Sequence, residues 1–144
     1  MTGFMASAPY LIALSAGFLA QIAKFLAYWV RHRKINFTQL VATGGMPSSH
    51  AAIVMGLTAA VGRIDGVASG TFAIALIFSF VVMYDAQGVR RAVGRQAAVL
   101  NRLVEDMVHM RGIQEDRMRE LLGHTPFEVL VGGTLGVIVG LLPF

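Results

Sequence analysis

The sequence predicts an all-α fold, an integral membrane helical bundle of four transmembrane helices plus a cytoplasmic amphipathic helix. Three observations carry that expectation. Of 144 residues, 56% are hydrophobic and only 14% charged, where soluble domains run near ~25% charged. The mean hydropathy is +0.65. The charges sit between long apolar runs rather than within them. A chain of this length is expected to form a single membrane domain, residues 1–144.

The first span is expected over 9–30, interrupted by Gln21 and Lys24. The basic residues Lys24 and Arg31 follow the apolar run instead of preceding it, so this helix reads as a retained span rather than a cleavable leader. The second, over 47–62, is short for a helix that needs ~20 residues to cross a bilayer. A short span makes sense if its N-terminal end stops below the membrane surface, inside protein. The third covers 67–84 and the fourth 126–144. Between them lies a cytoplasmic insertion over 90–122, in which Val93, Ala97, Leu100, Val104 and Met107 or Val108 recur at helical spacing. Gly112 is expected to break that helix, and Glu115–Leu122 to resume it. Such a helix would lie on the membrane interface, cover the bundle, or pair with a second copy.

Charge then sets orientation. All twelve Lys and Arg except Arg63 fall at one set of helix ends, which the positive-inside rule assigns to the cytoplasm. Both termini are then expected outside, in a multi-pass protein of the cell membrane. Twelve basic against eight acidic residues give a net charge of +4. Given where these cations lie, the expected partner is anionic membrane lipid and not nucleic acid. The absence of cysteine excludes disulfides, thiolate metal sites and cysteine nucleophiles.

Threaded this way, the chemistry-bearing residues converge at the cytoplasmic end. The first helix brings Lys24 and Arg31, and the second opens with Gly44-Gly45-Met46-Pro47-Ser48-Ser49-His50. The third ends in Tyr84-Asp85-Ala86-Gln87-Gly88-Val89-Arg90-Arg91, and the fourth begins with His124-Thr125-Pro126-Phe127-Glu128. Lys24 lies roughly 10 Å below Arg31 along the helix, and its long stem can snorkel into the same layer.

This set makes an anion site. Two helix N-termini offer backbone N–H groups and positive dipole ends. Gly45 and its neighbour allow close backbone approach, serines donate, and arginine grips phosphate oxygens bidentately. Two histidines can supply a nucleophile and a general acid for phosphoryl transfer. Each residue also has a plainer reading. Ser48 or Ser49 can be a helix cap, and Thr125-Pro126-Phe127-Glu128 fits a capping box. His50 and His124 can be interfacial, Lys24 a membrane anchor, and Arg90 and Arg91 topology signals. His32 and His109 lie among charged neighbours and read as solvated. Asp85 pairs with Arg90 or Arg91, or binds a cation; composition does not choose.

The spacing of these residues resembles the three-part signature of the type 2 phosphatidic acid phosphatases and vanadium haloperoxidases, K-x6-R-P, P-S-G-H and S-R-x5-H-x3-D. The resemblance is closest to the small divergent membrane branch of that superfamily, whose members look like G-G-M-P-S-S-H, Y-D-A-x-G-V-R-R and G-H-T-P-x-E-V. It extends from about Lys24 to the C-terminus. Four departures from the parent pattern stand out. His32 replaces the proline after Arg31, Ser49 replaces the glycine of P-S-G-H, and Glu128 replaces aspartate. A long insertion, with no serine before the arginine, separates Arg90 and Arg91 from His124 where the parent motif has five residues.

The resemblance implies a membrane lipid-phosphate phosphatase, a phosphoric monoester hydrolase working without metal or cofactor. It implies that His124 attacks phosphorus to form a phosphohistidine, Glu128 orients its ring, and His50 protonates the leaving alkoxide and then activates water. Lys24, Arg31, Ser48, Ser49 and Arg90 or Arg91 would hold the phosphoryl oxygens, with Asp85 and Gly45 as accessory positions. The expected substrate is phosphatidylglycerophosphate or phosphatidate at the cytoplasmic leaflet. The alternative is a non-catalytic membrane adaptor that binds anionic lipid or a protein partner, a reading favoured by the displaced His124 and the substituted glycine. A third reading, a metal-dependent phosphotransferase using Asp85 and Glu128, rests on two carboxylates that do not define a magnesium site. Gly132, Gly136 and Gly140 form a small-residue face for close helix packing, within one chain or between two. Because the parent superfamily usually carries more helices, a homodimer is expected to complete the bundle.

Overall fold

The computed structural model describes residues 8–35, 37, 45–87, 94, 96–105 and 124–143. Regular structure among them is helical. Four helices follow in order: α1 Pro9–His32, α2 Ser49–Asp65, α3 Gly70–Gln87 and α4 Pro126–Leu141. Their ends differ from the expected ones in instructive ways. α1 runs two residues past Val30 and stops at Arg33, whose φ of 53° lets its N–H bond Trp29 O at 2.8 Å. α2 starts after Pro47, because Ser48 is the N-cap and its hydroxyl accepts from Ala51 N at 3.4 Å. α3 starts at Gly70 instead of Val67. A turn intervenes in which Ser69 N bonds Gly66 O at 3.1 Å, while Ser69 Oγ accepts from Phe72 N at 3.2 Å. α4 ends at Leu141, three residues short of the expected end.

Helix α2 is the hub, packed against α1, α3 and α4; α1 also lies on α4, and α3 touches α4 only slightly. The seam between α2 and α4 is made of backbone. A Cβ on Gly132 would strike Ser48 O, one on Gly136 would strike Ala52 O, and one on Gly140 would lie 2.7 Å from Gly56 O. Positions 132, 136 and 140 thus lie along 48, 52 and 56 in register, one small residue per turn on each side. The glycine face packs within one chain. The same logic extends to α1, where Ile12, Ala16 and Ala20 join Ala52, Ala60 and Val139 in the main core cluster. A smaller cluster joins Ala51, Ala86 and Val129 at the other end, under Met83.

Large apolar side chains point outward instead. Phe18 is 67% exposed, Ile74 71%, Phe80 61% and Leu130 67%. Small residues inside and large ones outside invert the pattern of a water-soluble domain and suit hydrocarbon as the solvent, where packing and not water exclusion holds helices together. α1 and α3 are long and apolar enough to cross a membrane, with mean hydropathies of 1.6 and 1.5; α4 is a shorter apolar helix.

One polar clasp lies inside this apolar frame. Thr58 Oγ1 and Ser79 Oγ are 2.7 Å apart, and both reach Val54 O and Ala75 O at 2.9–3.1 Å, joining α2 to α3. The helical stretch 96–105 corrects the expected stripe. Ala97 is buried and Val104 partly so, but Leu100 is 46% exposed beside Val99 and Leu103. Small residues face inward there and large ones outward, as in the bundle. Val93, Met107, Val108, Gly112, Glu115–Leu122 and His109 lie outside the described residues.

Candidate functional site

The N-termini of α2 and α4 are tied together by one backbone bond, Ser48 N to Glu128 O at 3.1 Å. Gly132, one turn beyond Glu128 in α4, permits that approach. Two helix starts therefore sit side by side with their positive ends at one level. His50 lies in the first turn of α2, and His124 immediately precedes the N-cap of α4.

His124 is 1% exposed. Its Nδ1 lies 3.1 Å from Glu128 Oε2. The same oxygen accepts from Thr125 N at 3.1 Å, and Thr125 Oγ1 accepts from Glu128 N at 3.3 Å, completing the capping box. Capping and histidine orientation, two readings of Glu128 from the sequence, are performed by a single carboxylate oxygen. A carboxylate accepts and does not donate, so in the neutral ring it selects the tautomer with hydrogen on Nδ1 and a lone pair on Nε2. That Nε2 is buried and has no hydrogen-bond partner among the described residues. The rings of His50 and His124 meet edge-on, with centroids 6.4 Å apart and planes at 61°.

Lys24 is buried, 4% exposed. Its stem runs along Gly45, whose missing side chain would lie 3.8 Å from Lys24 Cδ and whose φ of +87° suits glycine. The Gly45 freedom anticipated for a ligand is thus used by the lysine. Lys24 lies within electrostatic reach of the Glu128 carboxylate, which places it in the histidine layer without snorkelling to the surface. Ser48 and Ser49 are both buried. The Ser48 hydroxyl accepts the cap bond from Ala51 N, a bond that does not use its own hydrogen.

Arg31 is exposed in the last turn of α1, and Asp85 is exposed near the end of α3. Arg90 and Arg91 lie outside the described residues, as does Gly44. His32 stacks on Tyr28 at 4.3 Å and is exposed, as expected for a solvated histidine. Sequence reasoning missed Gln21, whose Oε1 is buried without a hydrogen-bond partner among the described residues, one turn before Lys24. Its polarity inside an apolar run was the available signal. No group of three or more His, Asp or Glu side chains converges as a metal site among the described residues.

The order of these motifs along the chain and their meeting at one end of the bundle invite comparison with known proteins. The profile of the divergent PAP2 family matches residues 5–139, nearly the whole chain. This protein belongs to the divergent PAP2 family. The chain is also similar to the uncharacterized membrane protein YuiD of Bacillus subtilis (strain 168), 38% identical over 145 residues, covering 93% of this chain and 92% of YuiD. No solved structure matches. Membership agrees with the resemblance drawn from Lys24, the Pro47-Ser48-Ser49-His50 run and His124 with Glu128. A divergent PAP2 protein with these side chains is related to phosphatases through its family.

Proposed function

We propose that this divergent PAP2 protein is a lipid-phosphate phosphatase that hydrolyses a phosphomonoester at the cytoplasmic leaflet. In this reading all four helices span the membrane, both termini lie outside, and the basic segments face the cytoplasm. The starts of α2 and α4 sit below the membrane surface, which accommodates their lengths of 17 and 16 residues. Phosphatidylglycerophosphate and phosphatidate are made on the cytoplasmic face and are the substrates of choice. The observation that carries the proposal is the buried His124 ring, held through Nδ1 by Glu128 with its Nε2 unpartnered among the described residues, edge-on to His50.

The steps follow from that geometry. The lone pair on His124 Nε2 attacks phosphorus as the bond to the lipid alkoxide breaks. Glu128 stabilises the positive charge that develops on the ring. His50 gives its proton to the departing oxygen, leaving a diacylglycerol or phosphatidylglycerol. Neutral His50 then takes a proton from water, whose oxygen attacks the phosphohistidine and releases inorganic phosphate. Lys24 and the helix N-termini neutralise the equatorial oxygens, a role this reading also gives to Arg31 and to Arg90 or Arg91. Phosphate-monoester hydrolysis needs accelerations of up to ~10²¹-fold, and fixed positive groups where charge develops are an effective way to supply them.

The test is phosphate release by the detergent-purified protein from the two lipids with EDTA present, beside His124→Ala. Turnover that survives EDTA and disappears in the variant supports the proposal. Turnover that needs divalent metal and persists without His124 sinks it. Tight lipid binding with no turnover from either substrate would move the protein to the adaptor reading.

A further inference from the structure

The end of the bundle opposite His124 holds a cleft that the phosphatase reading does not use. α3 and α4 stand apart there on either side of α2, around a space of about 380 Å³, lined among others by Met55, Gly62, Phe72, Leu76, Val137 and Leu141, with Arg63 at its margin. Because α3 scarcely touches α4, the cleft opens sideways, toward the hydrocarbon that would surround a membrane-spanning bundle. Thr58 also lines it, but its hydroxyl is bonded to Ser79 and to two backbone oxygens. The lining is otherwise apolar up to the guanidinium.

Arg63 is unusual twice over. It is the single cation that the sequence places away from the basic end, against the general bias of membrane proteins. It is exposed, and among the described residues it has no ion-pair or hydrogen-bond partner. The nearby carboxylate of Asp65 is engaged instead by Thr71 Oγ1 at 2.7 Å. An arginine beside an apolar trough at the level of lipid head groups calls for an anion, and its fork matches phosphate oxygens.

We propose that this cleft binds an anionic phospholipid of the leaflet opposite the histidines, with its phosphate on Arg63 and one acyl chain between α3 and α4. Charge complementarity selects this occupant over a zwitterionic lipid, whose own cation offsets the attraction. The site is separate from the phosphatase chemistry and stands or falls without it.

The chain has one tryptophan, which makes a local optical test practicable. In a Trp29→Phe background, Phe72→Trp places a reporter on the cleft wall, and Leu76→Trp serves if the first reporter does not fold. Ile74→Trp, at a position 71% exposed, reports bulk lipid. Each protein is reconstituted in bilayers containing brominated-chain phosphatidylglycerol or brominated-chain phosphatidylcholine at equal mole fraction. At the cleft reporter, phosphatidylglycerol is expected to be preferred about fivefold, the selectivity of one basic residue at a membrane surface. No such preference is expected at position 74. Arg63→Gln should bring the cleft preference to parity, Val137→Phe should weaken quenching by both lipids, and His124→Ala should change neither. Equal quenching by the two lipids at the cleft would overturn the proposal, as would a preference that survives Arg63→Gln. Cleft quenching well below that at position 74 for both lipids would also overturn it, since protein and not lipid would then fill the space.

Discussion

Gly132 and Gly133 are neighbours in α4 with opposite surroundings, and alanine at each should have opposite consequences. A Cβ on Gly132 would strike Ser48 O and lie 2.9 Å from Ser48 N and 3.0 Å from Ser48 C. All three are backbone atoms in the turn that carries the Ser48 N to Glu128 O bond, so none can rotate away. α4 must back off from α2, an overpacking that costs about 1–3 kcal/mol. For a chain of this size, that lowers the thermal midpoint by roughly 3–12 °C. A Cβ on Gly133 would instead meet Met55 Cγ at 3.4 Å and Met83 Sδ at 3.7 Å, the flexible parts of two side chains that can adjust. There the gain in helix propensity, about 0.8–1.0 kcal/mol, should leave the midpoint equal or higher. The assay is thermal unfolding of both variants in one detergent, alongside phosphate release. Gly132→Ala should also lose activity, because the displaced turn carries Ser48 and leads into His50. A Gly132→Ala midpoint at or above that of Gly133→Ala would refute the backbone seam.

Three further outcomes are expected. Glu128→Gln keeps a side chain able to close the capping box but removes the charge that pairs with His124, so kcat should fall by about 10²-fold or more while the thermal midpoint hardly moves. A midpoint that falls in step with activity would instead make Glu128 a structural residue. Lys24→Met keeps the stem along Gly45 and deletes the ammonium; kcat/KM should drop about 10²-fold, a loss larger than any accompanying fall in the thermal midpoint accounts for. Unchanged turnover would take Lys24 out of the phosphate cradle. Thr58→Val removes one half of the clasp while Ser79 keeps both carbonyl partners, so it should cost only about 0.6 kcal/mol, the average for interhelical hydrogen bonds in membrane proteins; a loss several times larger, read by the same unfolding assay, would mean the pair acts as one unit.

The sequence was most legible where local rules decide structure. Pro9, Ser48 and Thr125-Pro126 mark helix starts by backbone and capping chemistry, and the structure begins α1, α2 and α4 there. The start of α3 was misplaced because hydropathy runs through Val67, whereas the cap is the polar Ser69. The glycine face on α4 was visible as a period of four, but not its partner, since Ser48, Ala52 and Gly56 read as ordinary small residues until the two helices are laid together. The Thr58–Ser79 clasp joins positions far apart in the chain, and no spacing rule reaches it. At the site, the His124–Glu128 pair was legible because four residues make one helical turn. For Lys24 the sequence offers a phosphate-binding role or a membrane anchor but not its burial against Gly45, a tertiary contact between α1 and the approach to α2. The family assignment came from motif order, which survives even where a long insertion separates the arginines from the histidine.

The central claim is that His124 Nε2 becomes bonded to phosphorus. The most direct measurement is rapid acid-free quenching of the protein with phosphatidate labelled in its phosphate, followed by analysis of the modified residue. The account predicts an acid-labile, base-stable phosphoryl group on His124, absent in His124→Ala and longer-lived in His50→Ala, where the activation of water is lost. Turnover without any covalent label, together with a label-free His50→Ala protein, would contradict it.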